Sequence, residues 1–458
     1  MQEGKMKKEE LIEIGRKIEE FFDGKEVHLH PSEIAGYLKY LKHQDEQKFY
    51  ELLKRLPKEL LGEVLLELPE SIRDDAFEHL SAKELAEAVE ELDSDDAVDL
   101  VKDIEDLDAE LEQEVLEKLE DEEYKKEIEE LSSYEEDQAG AYMQTEVFKA
   151  YVDEKIKDAI ERLRRLKESE ELSNVHQVYV VDRDGKLRAI IPLEDLILFD
   201  FETRFSDIVD DPKYEPIVVH PEEPIEDLIK KFEDYDLAVV AVVDDEGRLL
   251  GRITSDDIID LVEEQATEQI YNLAGVQEEA EEDEDIKEVT KKRAWWLLIN
   301  LGTAILASFV IGLFDETIQK YVALAVLMPI VASMGGNAGT QTLTVVVRKL
   351  ALGEIDWQNA KKALFKETAV SLLNGFIFAL VMGLIAWVWF HDPMLGVVIA
   401  LAMVINLLAA GFFGAVIPLF LKKIGSDPAV GSSVLLTTVT DVVGFFAFLG
   451  LAKLMLVH

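Results

Sequence analysis

Lys291-Lys-Arg-Ala-Trp-Trp-Leu-Leu-Ile-Asn-Leu-Gly-Thr-Ala-Ile-Leu-Ala-Ser-Phe-Val-Ile-Gly-Leu-Phe314 is the stretch where one kind of chain becomes another. Three basic residues and two tryptophans lead into an uncharged apolar run about as long as a helix must be to cross the hydrocarbon of a bilayer. Four more such runs follow, roughly 321–347, 368–390, 395–420 and 430–456. A soluble core does not need five in succession, so the C-terminal part reads as an all-α, five-helix transmembrane domain. The positive-inside rule sets its expected orientation. With the N-terminus inside, the inner flanks hold Lys291, Lys292, Arg293, Arg348, Lys349, Lys361, Lys362, Lys366, Lys422 and Lys423, against Lys320 and Lys453 outside. The expectation is a multi-pass protein of the cell (plasma) membrane, N-terminus cytoplasmic and C-terminus outside, with Trp295, Trp296, Trp387 and Trp389 near the interfaces.

Upstream, the composition reverses. Of 95 acidic and 47 basic residues in the chain, residues 294–458 hold eight and nine, so the first 293 carry 87 and 38, a net charge of −49. Such a surface repels nucleic acid and anionic headgroups and attracts metal cations; plain solubility is the competing explanation. The chain has no cysteine, which excludes disulfides and thiolate metal sites. The start, Met1-Gln-Glu-Gly-Lys, shows no apolar core of a cleaved leader.

Two repeats organise the acidic half. Leu56-Pro57, Leu68-Pro69, Leu80-Ser81 and Leu92-Asp93 recur with a period of 12. Pro, Ser and Asp suit helix starts, so these pairs predict a solenoid-like stack of short helices. Farther on, Val180-Val-Asp-Arg-Asp-Gly185-Lys-Leu187 is matched by Val242-Val-Asp-Asp-Glu-Gly247-Arg-Leu249 at an offset of 62. Each copy predicts a hairpin with a glycine turn and then a helix beginning near Pro192 or Ser255. This duplicated α/β unit resembles a tandem pair of CBS domains, a regulatory module that often binds adenine nucleotides, so ATP is a candidate ligand of the pair. Gly251-Arg-Ile-Thr-Ser-Asp-Asp257 fits the pattern, and Ala189 departs from it in the first copy.

The expected organisation is multidomain: residues 1–133 an acidic helical-repeat domain, 134–257 the CBS pair, 258–290 an acidic connecting helix and 291–458 the pore domain. That order resembles the MgtE family of magnesium channels over essentially the whole chain. Tyr134-Glu-Glu-Asp-Gln-Ala-Gly140 resembles its junction before the CBS pair. Pro329-Ile-Val-Ala-Ser-Met-Gly335-Gly-Asn337-Ala-Gly339-Thr-Gln341 resembles its second-span signature. Asp427-Pro428-Ala429, with Thr437-Thr-Val-Thr-Asp441, resembles its fifth-span signature. The resemblance implies a homodimer with the pore on its two-fold axis, closed by intracellular magnesium when magnesium is ample.

Asp441 is a mid-span carboxylate among Val439, Val442 and Val443, and no span offers a basic partner away from its ends. A charge at that depth is a functional-site candidate. Magnesium prefers octahedral oxygen at about 2.1 Å and retains several waters, so two symmetry-related Asp441 would hold a hydrated ion through its water shell. Gly335-Gly-Asn337 is expected to loosen the second span, with Asn337 offering an oxygen, and Thr437 its carbonyl or hydroxyl; helix packing through small residues is the alternative for the glycines. Asn374 and Asn406 read as packing residues. Asp427-Pro428 reads as the N-cap and first residue of the fifth helix, with a role near the inner pore mouth as the alternative. By the resemblance, the regulatory ions would sit among Asp95 and Asp99 of the solenoid, Glu226 and Asp236 of the second CBS unit, and Asp257, Asp260 and Glu268 of the connecting helix; a solvated acidic face is the alternative for each. Asp257, Asp260 and Glu264 share a helical face. Gln265 and Gln269 stand where the family resemblance leads one to expect acids, which leaves the number of sites open.

The function read from the residues is divalent-cation transport, with magnesium the expected cargo. A channel is favoured over a secondary transporter exchanging magnesium or cobalt for another ion, since no inverted repeat is evident. A membrane-tethered nucleotide sensor is the third reading, opposed by Asp441. Enzymatic chemistry is not expected: there is no P-loop and no His pair at metal-ligand spacing.

Overall fold

The computed structural model describes residues 8–169, 172, 174–274, 286–357 and 359–456, and it divides into two compact units, Met1–Val262 and Glu263–His458. The middle of the expected connecting helix, 275–285, lies outside the described residues.

The first unit opens with nine helices among the described residues: α1 (Lys8–Phe22), α2 (Pro31–Gln44), α3 (Glu46–Leu53), α4 (Lys58–Leu66), α5 (Glu70–Phe77), α6 (Ala82–Val89), α7 (Ser94–Leu107), α8 (Ala109–Lys118) and α9 (Glu122–Leu131). The 12-residue period is their register. Pro57, Pro69, Ser81 and Asp93 are the N-caps of α4 to α7. Ser81 closes a capping box with Glu84, satisfying two otherwise orphan backbone donors. The leucines just before the caps, Leu56, Leu68, Leu80 and Leu92, are all buried. Each therefore pins the entry of one short helix against its neighbours, which helices of eight or nine residues need because they are marginal alone.

The duplicated segment forms two three-stranded sheets of identical topology. In the first, β1 (Lys149–Tyr151) lies parallel to β2 (Gln177–Val181), which is antiparallel to β3 (Leu187–Pro192). In the second, β4 (Val218–Val219), β5 (Val239–Val243) and β6 (Leu249–Thr254) repeat the arrangement. Helices α10 (Ile156–Glu168), α11 (Leu193–Leu196), α12 (Ile225–Tyr235) and α13 (Ser255–Ala274) complete the copies. The repeat extends to irregularities: a register shift at Val180/Val181 recurs at Val242/Val243. Gly185 and Gly247 turn the hairpins with φ of +80° and +77°, a region that favours glycine. The two turns pair with each other, Leu187 N donating to Gly247 O at 2.9 Å and Leu249 N to Gly185 O at 3.0 Å. Tyr179, Val181, Val239, Ala241 and Leu249 form one apolar core shared by the sheets.

The asymmetry at Ala189 and Gly251 has a steric cause. Gln144 pairs with Arg252 as an extra antiparallel bridge, and a Cβ at Gly251 would collide with Gln144 O and the Met143 side chain. A similar close approach explains Gly140, where a Cβ would meet the Tyr134 ring at 2.7 Å.

The second unit contains the C-terminal part of α13, then α14 (Ile286–Gly312), α15 (Asp315–Lys320), α16 (Ala323–Ala351), α17 (Lys361–Phe390), α18 (Pro393–Lys423) and α19 (Ser432–Met455). Five of these are long and apolar enough to cross a membrane. The most deeply buried of the five is α18, which packs against α16, α17 and α19. Lipid is as apolar as leucine, so close approach of small residues does the packing. A Cβ at Gly411 would strike Ser371, one at Gly396 would come within 2.6 Å of Gly383 O, and one at Gly414 within 2.9 Å of Gly339 O.

Leu68→Ala tests the register assignment. The side chain is 3% exposed, so its truncation is expected to destabilise the first unit by about 2–5 kcal/mol. Pro69→Ala, which removes no buried side chain contact of that size, should cost well under half as much. Denaturant melts of the two variants give the comparison.

Candidate ion pathway and acidic junction

The membrane candidates lie on two neighbouring helices. Thr437 and Asp441 are one turn apart on α19 and so share a face. Asp441 is half-buried, flanked by half-buried Val439, Val442 and Val443. No described side chain forms an ion pair or hydrogen bond with it among the described residues. The Thr437 hydroxyl donates to Ser433 O, and its carbonyl accepts from Thr440 Oγ1 at 3.0 Å. Asn337 on α16 is exposed and donates through Nδ2 to Ser333 Oγ at 3.4 Å. The two helices touch where Gly339 faces Leu436.

Two expectations are corrected here. The second span is not interrupted at Gly335-Gly-Asn337: α16 runs unbroken from Ala323 to Ala351 with Pro329 inside it. Its glycines serve close approach, Gly335 against Asn406 and Gly339 against Leu436, rather than unwinding. Asp427 is not the N-cap of the fifth helix. Gly431, at φ +71°, is the N-cap, and α19 starts at Ser432. Asp427 Oδ1 instead accepts from Ala429 N at 2.8 Å, a local turn, and Oδ2 accepts from Asn272 Nδ2 at 3.0 Å. The same Asn272 amide also donates to Glu268 Oε1 at 3.1 Å, so Glu268 belongs to this cluster of the second unit.

In the first unit, the N-terminus of α7 is held by the segment that enters the CBS pair. Ser94 N and Oγ donate to the Glu146 carboxylate, at 2.9 Å from Oγ, and Thr145 N donates to Ser94 Oγ at 2.9 Å. This places Asp95, only 5% exposed, against Gln144, whose Nε2 donates to Asp95 Oδ2 at 2.6 Å. Gln144 Oε1 in turn accepts from Arg252 Nε at 3.0 Å, and Arg252 Nη1 donates to Asn174 O at 2.8 Å. Asp95 Oδ1 is buried and has no side-chain hydrogen-bond partner among the described residues. Asp257, at the start of α13, accepts from Thr254 N and Oγ1 at 3.3 and 3.0 Å.

These carboxylates lie close enough to feel one another. Burial pushes Asp95 well above the usual range, reinforced by the Asp96 and Asp257 charges. Burial lifts Asp96 to about 7, with Asp99 and Asp257 acting in the same direction. Desolvation raises Asp99 to about 7 against the opposing Lys102 charge, although its side chain keeps exposed surface through which solvent moderates the effect. Burial brings Asp257 to about 6, against the stabilising Thr254 bonds. Among the described residues, no three His, Cys, Asp or Glu gather into a ready cage for an ion.

The remaining sequence candidates are dispersed. Glu226, in the first turn of α12, is exposed. Asp236 is the left-handed residue, φ 50°, that ends α12, its N–H donating to Phe232 O. Asp260 is exposed on α13. Asp96, Gln144 and Arg252 were not among the candidates. The spacing of Asp96, Asp99 and Asp103 on one face of α7 carried a signal for the first; the other two depend on a contact between residues 108 apart.

Comparison with known proteins completes the picture. Family models match residues 328–451 as a divalent cation transporter, 29–137 as the MgtE intracellular N domain, and 139–202 and 206–264 as CBS domains. The magnesium transporter MgtE of Thermus thermophilus is 32% identical over 337 residues, covering 71% of this chain and 72% of the relative. The chain belongs to the MgtE family of magnesium transporters. The MgtE protein of Enterococcus faecalis is likewise 32% identical over 325 residues, 71% of this chain and 70% of that one. Among solved structures, the cytosolic domain of the Mg2+ channel MgtE in complex with ATP is 31% identical, covering 51% of this chain and 91% of that one, at a TM-score of 0.46. The soluble part of a magnesium transporter is 28% identical, covering 56% and 98%, at 0.48. MgtE proteins are transporters rather than enzymes, and the five long apolar helices make this one a multi-pass membrane protein.

The acidic junction generates a pH prediction. Carboxyls raised from 3.8 to about 6–7 in the folded state bind protons that the unfolded chain has released. Stability therefore falls as pH rises from about 4 to about 7 and levels off above. In magnesium-free buffer, the protein should melt higher at about pH 5.5 than at about pH 8. Millimolar magnesium should shrink the difference by raising the value at the higher pH, and Asp96→Asn with Asp257→Asn should flatten it. Thermal melts in chelator check this; a profile already flat in the native chain would refute it.

Proposed function

We propose that this protein is a magnesium channel whose ion path runs along α16 and α19 at the two-fold axis of a homodimer. Asp441 is the observation that carries the reading: an apolar helix holds a half-buried carboxylate with no ionic partner among the described residues. A cation is what such a group lacks. A hydrated magnesium ion between two Asp441 side chains offsets their charge without full dehydration, and Asn337 and the Thr437 region add neutral oxygens along the path. The bias of ten basic residues against two supports a cytoplasmic N-terminus, an outside C-terminus and a cell-membrane location.

Intracellular magnesium gates the path in this reading. The buried Asp95 Oδ1, with no side-chain partner among the described residues, fits a cation beside it, and Asp95, Asp96, Asp99 and Asp257 are the residues that would hold one. Magnesium there offsets the repulsion between α7 and the start of α13 and favours the compact state. In functional terms residues 1–133 and 134–257 form the sensor, 258–290 the connection and 291–458 the pore. Asp260, Glu226, Asp236 and Glu268 enter as outer contributors. ATP at the CBS pair would be a second regulatory ligand, as CBS resemblance implies. The alternative, exchange of magnesium or cobalt for another ion, is separated by single-channel recording: unitary currents with magnesium as the only permeant cation support the channel, and uptake driven only by a counter-ion gradient supports exchange.

Two outcomes are expected from variants in liposomes. Asp441→Ala should reduce magnesium uptake to the background of protein-free vesicles while the dimer still forms; native uptake by a well-folded variant would remove Asp441 from the path. Asp95→Asn and Asp257→Asn should each raise the magnesium concentration needed for closure, by about fivefold or more. Potassium chloride at equal ionic strength should not substitute for magnesium, because screening over about 8 Å cannot bridge two carboxylates.

A further inference from the structure

Asn406 lies midway along α18 with no exposed surface. Its Nδ2 donates to Val331 O of α16 at 2.8 Å. Two glycines on two other helices make room for the amide. A Cβ at Gly335 of α16 would collide with its nitrogen, and a Cβ at Gly444 of α19 would lie 2.7 Å from it. Three spans thus meet at one polar side chain, and two of them present no side chain of their own there. The other end of the amide, Oδ1, is buried and has no donor among the described residues.

Packing alone does not explain this choice. Leucine has the same branching and heavy-atom count and no polar atom, whereas a buried carbonyl oxygen without a donor destabilises the fold. What the amide supplies and leucine cannot is a directional bond, which fixes the height of one helix against another. The residues around it are the relevant ones. Gly335 is two positions before Asn337, and Gly444 is three positions after Asp441.

We infer that Asn406 is a positioning residue for cation selection: its bond to Val331 O sets the height of α16, its close packing on Gly444 sets that of α19, and the two together set the spacing of Asn337 and Asp441, without touching the ion. The inference rests on the reading of Asp441 as the pore carboxylate. Hydrated divalent cations differ in size and in how readily they shed water, so a slip in this spacing changes which of them passes.

The test compares the full-length protein with Asn406→Leu, Asn406→Ala and the double variant Asn406→Ala with Gly335→Ala, in liposomes. Melting temperature, half-saturation for magnesium, and uptake of magnesium relative to calcium and cobalt are measured for each. Asn406→Leu, where it folds, should lose discrimination several-fold whatever its melting temperature. Asn406→Ala should melt lower, and adding Gly335→Ala, which refills the gap, should recover stability without recovering discrimination. If Asn406→Leu fails to fold, the alanine pair decides alone. Native discrimination in the folded variants, or discrimination that rises and falls with melting temperature, overturns the inference. Asp441→Ala run in parallel keeps the two readings apart. Normal transport by that variant defeats the pore assignment itself; loss of transport there, with native discrimination in the Asn406 set, defeats only the role of Asn406.

Discussion

An ionised carboxylate removed from water and left without a positive partner is among the most costly groups a folded chain can hold. Both units of this protein are organised around that cost. In the first, the entry segment of the CBS pair covers the N-terminus of α7, burying Asp95 beside Asp96 with Asp257 within electrostatic reach. In the second, a membrane-spanning helix carries Asp441 among valines. Neither unit supplies a lysine or arginine in direct contact with these groups among the described residues. Arg252, the nearest buried base to Asp95, reaches it only through the amide of Gln144. Without such a base, burial raises the proton affinity of Asp95, Asp96 and Asp257.

Hydrogen bonding then decides which parts are rigid. The Ser94, Thr145 and Glu146 contacts fix α7 to the entry segment independently of the acids. The paired hairpin turns fix one CBS copy to the other. The acidic surfaces are therefore displayed on supports held by their own hydrogen bonds.

Much of this was legible in the sequence. Local chemistry with a regular period reads well: the caps at Pro57, Pro69, Ser81 and Asp93, the 62-residue duplication of a hairpin and helix, and the five spans all follow from short-range preferences repeated along the chain. What failed to read was tertiary. Gly335-Gly336 signals both a loosened helix and a close approach, and only Asn406, 71 residues later, decides for the second. Asp427-Pro428 is a good helix start until Gly431 interposes a left-handed residue. Gln144 and Arg252 look unremarkable alone and gain meaning only across a bridge. For the acidic candidates, composition was the obstacle: where nearly every surface is acidic, only burial separates Asp95 from Asp260.

The bridge between Gln144 and Arg252 also bears on how the duplicated half has diverged. Two copies of one ancestral unit begin as equals, but the chain enters the pair on one side only, and its entry strand lies over the second copy at Gly251. From then on the copies live under different rules. The first is free to drift to alanine at residue 189, fully buried yet uncrowded, while the second must keep a bare backbone beneath the incoming strand. Direction of entry alone turns a symmetric duplication into a pair with a front and a back, and it is the back, the copy that continues into α13, that inherits the link toward the membrane.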